Sequence, residues 1–258
     1  MTTEDRDLST PAEGSPRENR SRSSASRGTG RKHLPVWQET LLLLVVALLL
    51  AIGIKQFLAQ AFYIPSESME PGLVLNDRIL VQKPSYWGDG TPQRGDVVVF
   101  KDPGGWLGPQ EPTSGLTEVL TKIGLYPEGG HLVKRVIGVA GDVIECCDKK
   151  GRLLVNGVPV DESEYARPGE CYGPNRGCRW KTTVVPEGEL FVMGDNRARS
   201  ADSSAHMCTP RETDCSQDPF VDEDLVVGKV MAVIWPLDKM RWEHRPDAFD
   251  DVPAGRTP

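Results

Sequence analysis

Residues 41–54, LLLLVVALLLAIGI, contain no polar side chain. A helix of this composition is apolar on every face, whereas the core helix of a globular domain is normally amphipathic. Val36 and Trp37 extend the run upstream, and Phe57, Leu58 and Phe62 extend it downstream. Together they approach the roughly 20 residues needed to cross the hydrocarbon core of a bilayer. Trp37 and Tyr63 fall where interfacial aromatics belong. The sequence therefore predicts a transmembrane anchor over residues 36–61.

A removable signal peptide is the competing reading, because Ala59-Gln60-Ala61 has the small-x-small form of a cleavage site. Against it, the apolar run begins only at residue 41, behind a long polar stretch instead of a short basic leader. Arg17, Arg20, Arg22, Arg27, Arg31 and Lys32 crowd that approach, and only Lys55, Arg78 and Lys83 follow closely. By the positive-inside rule the N-terminus is cytoplasmic and the remainder extracytoplasmic. The expected protein is single-pass in the cell membrane. Residues 1–35 lack Ile, Val, Phe, Tyr and Trp, and such a segment cannot bury enough apolar area to offset its ordering entropy, so a disordered tail is expected. An extracytoplasmic domain over 62–240 and a C-terminal tail over 241–258 complete the organisation.

The formal net charge of -7 argues against a nucleic-acid partner. All six cysteines follow the anchor, which favours disulfides in an oxidising compartment over free thiols or a metal. Cys171 with Cys178 and Cys208 with Cys215 are the natural local pairs, although spacing does not fix connectivity. Adjacent Cys146 and Cys147 suggest no obvious partner.

Beyond the anchor the chain reads as β. Short Val/Ile-rich runs recur at 78–82, 96–100, 132–139, 153–155, 182–185, 190–193 and 225–235, separated by turn-forming groups. Asn156-Gly157 predicts a type I′ hairpin. A stripe of Leu116, Val119, Leu120 and Ile123 predicts one helix over 116–125.

Three polar blocks carry candidate chemistry. In Ile64-Pro65-Ser66-Glu67-Ser68-Met69-Glu70-Pro71, the prolines discourage helix and regular strand. Serines at i and i+2 of extended chain point the same way. Alone, this is an ordinary turn. In His131-Leu132-Val133-Lys134-Arg135-Val136, strand alternation puts Lys134 on the same face as Leu132 and Val136. Either its stem snorkels from a half-buried strand, or its amine is desolvated, deprotonated and able to act as a general base. The third block, from Met193-Gly194-Asp195-Asn196 through Ser200-Ala201-Asp202-Ser203, is a polar loop leaving a strand. His33, His131, His206 and His244 lie outside any metal-ligand pattern, and nothing motivates a Ser-His-Asp triad.

In this order after one anchor, the blocks resemble the bacterial type I signal peptidases, over roughly residues 36–236. Arg94-Gly95-Asp96-Val97-Val98 is similar to that family's Gly-Asp strand block. The resemblance implies a mainly β fold: one N-terminal transmembrane helix, then an antiparallel β catalytic domain whose apolar surface rests on the membrane. It implies a serine endopeptidase with Ser68 as nucleophile and Lys134 as general base. Ser66 would share the oxyanion hole with the Ser68 N–H, and Ser200 would hydrogen-bond the Lys134 amine. Asp195, Arg135 and Asp202 would form supporting ion pairs. Implied partners are the lipid bilayer and secretory preproteins with small residues at −1 and −3. No cofactor, metal or nucleic acid is expected, and the chain would act as a monomer. One position departs from the family pattern: Ser204 stands where an arginine partner for Asp202 is usual, leaving Arg197, Arg199 or Arg211 as substitutes. A soluble repressor-like Ser–Lys peptidase and an anchored scaffold with a decayed site are the competing readings.

Overall fold

The computed structural model describes residues 35–88, 90–108, 115, 130–167, 179–208 and 218–255. The chain divides into two compact units, residues 1–45 and 46–258. Helix α1, Val36–Gly53, has no buried residue and a mean hydropathy of 2.1. Its 18 residues correspond to about 27 Å at 1.5 Å per residue, so it is long and apolar enough to cross a membrane. It is shorter than the expected 36–61 span. A π-helical turn occupies Ile54–Leu58, and Ala59–Tyr63 is already strand β1. The backbone groups of Ala59-Gln60-Ala61 pair with Leu80, Val81 and Gln82 of β2, Arg78–Gln82, and a sheet ladder satisfies them as well as another helical turn would.

From β1 onward the second unit is built of antiparallel strands. The larger sheet runs β1-β2-β11-β3-β4-β9-β10, with β12 (Arg241–Trp242) added to β11. Between β2 and β10 (Val221–Asp222) lie β11 (Val226–Trp235), β3 (Val97–Lys101), β4 (His131–Gly138) and β9 (Glu189–Met193). These strands are rich in β-branched residues, which suit a pleated, buried surface. The smaller sheet runs β7-β6-β5-β8 and comprises Val158–Pro159, Leu154–Val155, Ile144–Cys146 and Trp180–Lys181. Asn156 and Gly157, with φ of 54° and 82°, form the predicted hairpin between β6 and β7.

The core falls into three apolar clusters. Ile64, Met69, Leu73, Val97, Val99 and Val230 belong to one. Val98, Phe100, Trp106, Leu132 and Val136 belong to a second, and Ile137, Ile144, Leu153 and Phe191 to a third, under the small sheet.

Several expectations are revised. Residues 182–185 form no strand: Thr182 Oγ1 accepts from Ile144 N at 2.9 Å and Val185 N donates to Asp142 O at 2.8 Å, so side-chain and loop bonds replace a ladder. Residues 241–255, set apart above as a tail, pack into the unit through β12 and the buried Phe249 and Val252. Arg94 ties them down by donating to Val252 O and Pro253 O. Cys146 and Cys147 are joined to each other, and Cys208 is disulfide-bonded. The helix expected over 116–125, all but the last residue of the tail expected over 1–35, and the residues Cys171, Cys178 and Cys215 lie outside the described residues.

Candidate active site

Ser68 sits on a turn whose apolar members are plugs. Ile64, Met69 and Leu73 are buried in one cluster, Leu73 N donates to Met69 O, and Asn76 N donates to Ile64 O. With these side chains committed inward, the serines between them face the other way. The Oγ atoms of Ser66 and Ser68 lie 3.2 Å apart, as the i, i+2 spacing predicts.

Lys134 comes from the middle of β4, where it pairs with Val98 of β3. Its Nζ lies 2.6 Å from Ser68 Oγ, and the two residues are only 4% and 7% exposed. Burial pulls the amine below the ordinary lysine value, while the charges of Asp202 and Asp195 act in the opposite direction. Burial wins because a buried ammonium loses its hydration and has no carboxylate in hydrogen-bond contact to replace it. The backbone N–H of Ser68 donates to no group among the described residues.

The loop after β9 braces this pair. Asn196 N donates to Ser68 O at 3.0 Å, and Asn196 Nδ2 donates to Glu67 O at 3.0 Å. Asp195 receives Arg135 in a two-pronged bond, Nε to Oδ1 at 2.9 Å and Nη2 to Oδ2 at 2.8 Å. Burial alone would lower the Arg135 pKa, but the charge and hydrogen bonds of Asp195, helped by Glu243, hold it above the ordinary value. Gly194 allows a close approach: a Cβ there would stand 2.5 Å from Ser68 O and collide with Ser200 Oγ.

Asp202 is 1% exposed and accepts from Gly194 N at 2.9 Å, Ser204 N at 3.1 Å and Ser204 Oγ at 2.7 Å. Ser204, at the position where an arginine is usual, supplies two of these bonds itself. Arg197 instead donates to Gly194 O and pairs with Glu162. Arg199 pairs with Glu67, and Arg211 lies outside the described residues. Ser200 departs from expectation. Its Oγ is buried and has no hydrogen-bond partner among the described residues, so it makes no hydrogen bond to the Lys134 amine.

The site opens into a cleft of about 460 Å³ that reaches Ser66, Ser68 and Lys134. Asn196 and Gly194 are bracing residues to which sequence reasoning gave no role, and Ser204 is one it marked only as a departure. All three lie within or beside the polar loop it did single out, where the only available signal was their proximity to Asp195 and Asp202.

A serine hydroxyl against a buried, charge-averse amine, with a hydroxyl and a free backbone N–H beside it, has the parts a serine peptidase needs for acyl transfer. The profile of the signal peptidase family, peptidase S26, matches residues 37–235, and the chain belongs to that family. A probable signal peptidase I of Mycobacterium leprae (strain TN) is 36% identical, covering 82% of this chain and 80% of that protein. Signal peptidase I of Mycobacterium tuberculosis (strain CDC 1551 / Oshkosh) is 38% identical over 80% and 74%. Signal peptidase I of Leptolyngbya laminosa is 33% identical over 76% and 78%. The family's members are hydrolases that remove signal peptides from preproteins, and this chain is an enzyme of that family.

Proposed function

We propose that the chain is a membrane-anchored Ser–Lys endopeptidase that cuts preproteins after small-x-small sequences. The observation that carries this reading is the 2.6 Å approach of Lys134 Nζ to Ser68 Oγ in a site both residues share out of water. With the amine neutral, the Ser68 hydroxyl proton passes to Nζ as Oγ attacks the scissile carbonyl carbon. The developing oxyanion takes hydrogen bonds from the Ser68 N–H and the Ser66 hydroxyl. Collapse breaks the C–N bond, and the leaving amine of the mature protein takes the proton held on Lys134. Water then attacks the Ser68 ester, giving its proton to Nζ; the ester C–Oγ bond breaks as Ser68 Oγ takes that proton back from Nζ, and the signal peptide leaves as a carboxylic acid.

Helix α1 serves as the anchor. The basic residues before it support a cytoplasmic N-terminus and an extracytoplasmic catalytic domain. The test uses the full chain in detergent with a secretory precursor bearing Ala-x-Ala. Ser68→Ala and Lys134→Ala should each abolish cleavage while far-UV circular dichroism stays unchanged. Cleavage by either variant at more than a few per cent of the parent rate rules out the mechanism.

A further inference from the structure

The cleft beside Ser68 takes its lining from two apolar clusters. Ile64, Met69 and Val99 come from one, and Trp106 and Leu132 come from the other. Trp106 belongs to neither the serine turn, the lysine strand nor the polar loop, and the mechanism does not use it. It lies in the segment that follows β3, and that segment is held in an unusually definite shape. The Asp102 carboxylate accepts from Gly104 N at 3.0 Å, Trp106 N at 3.0 Å and Leu107 N at 3.2 Å. A single carboxylate thus wraps the backbone around itself, the local side-chain capture that favours Asp in turns.

The indole is fixed as firmly as its backbone. It stacks on the His206 ring with centroids 4.3 Å apart and planes 2° from parallel, and meets Phe100 edge-on at 6.1 Å. His206 Nδ1 is in turn 2.8 Å from Asp202 O, in the loop that braces the nucleophile. Trp106 is only 8% exposed, yet it still lines the cleft. A large, rigid side chain with no hydrogen-bond task at a substrate groove works by occupying volume.

We propose that Trp106 is a specificity-determining residue, the wall that limits the bulk of a substrate side chain upstream of the scissile bond. An extended peptide in a two-sided cleft alternates its side chains between the sides. A side chain turned to the Trp106 side therefore meets an indole that cannot swing away without breaking its stack on His206. The residue acts by exclusion, and the segment after β3 contributes to substrate choice. This inference rests on the peptidase reading above.

The experiment compares kcat/KM of the full chain on an Ala-x-Ala precursor and on precursors carrying Leu or Phe singly at −2, −3 and −4. The readout is the ratio of bulky to parent substrate for each enzyme. In Trp106→Ala that ratio should rise at least about tenfold at one or more positions, the low end of what a methylene or more of pocket volume discriminates. Trp106→Phe and His206→Ala should give smaller rises at the same position. Ratios within threefold of the parent enzyme at every position overturn the proposal, as does loss of all cleavage in the three variants, which would make the role structural. Failure of the parent enzyme on the Ala-x-Ala precursor would instead strike at the peptidase reading.

Discussion

Ser204 Oγ donates a 2.7 Å hydrogen bond to Asp202 Oδ1, and Ser204 N donates to the same oxygen. Among the described residues, the hydrogen bonds to this buried carboxylate all come from neutral donors. Hydrogen bonds to charged groups contribute about 1.5–3 kcal/mol each. Ser204→Ala should therefore lower unfolding stability by that order, read as a drop in the urea midpoint at unchanged slope. A loss below about 0.5 kcal/mol would mean that solvent reaches Asp202.

The depressed amine of Lys134 fixes the sign of two pH effects. Only neutral amine accepts the serine proton, so kcat/KM should rise with pH on its acid side, with a midpoint below the ordinary lysine value of 10.5. A midpoint at 10.5 or above would contradict the buried geometry. For stability, the unfolded chain holds more protons at this position than the folded one between the depressed pKa and 10.5. Lys134 therefore destabilises the fold below that window, and the penalty fades as pH rises through it. Lys134→Met should be more stable than the parent at neutral pH, the gap closing towards pH 10.5; a constant gap would deny the titration.

Arg135 and Asp195 stand or fall together. Arg135→Met leaves a buried carboxylate without its guanidinium and should cost about 3–5 kcal/mol. Adding Asp195→Leu should recover part of that loss. A double variant no better than the single one would show that the pair is not the dominant interaction of Arg135, which also donates to Gly95 O at 2.8 Å.

Gly194→Ala tests the brace under Ser68. The added methyl would meet Ser68 O at 2.5 Å, so the turn carrying Ser68 must shift. A displacement of about 1 Å can reduce turnover on the order of 100-fold. We expect such a fall in kcat with far-UV circular dichroism unchanged. Activity within threefold of the parent would show that the Gly194 backbone moves away from Ser68 instead.

Much of this architecture is legible in the sequence, for definite physical reasons. The period-two pattern around Lys134 places it among Leu132 and Val136, and both belong to the cluster beneath it. The Asn156-Gly157 turn carries its own backbone signature. Bracing contacts are harder to read, because Asn196 reaches Glu67 across 129 positions of chain and no periodicity encodes that meeting. Asp202 illustrates the same limit. Sequence offered arginines as partners, but Arg197 and Arg199 turn to Glu162 and Glu67, while Asp202 takes the hydroxyl two residues away. Trp106 was hidden because its segment carries neither helical nor strand repeat.

Strand β11 is synthesised late, yet it lies between β2 and β3 and so joins the edge that carries the serine turn to the strands that carry the lysine. A nascent chain halted before residue 226 already contains Ser68 and Lys134 but lacks the plank that spans them. Contacts of such long sequence separation form slowly. The approach of Ser68 to Lys134 thus depends on residues 226–235 being inserted between the two halves of the sheet.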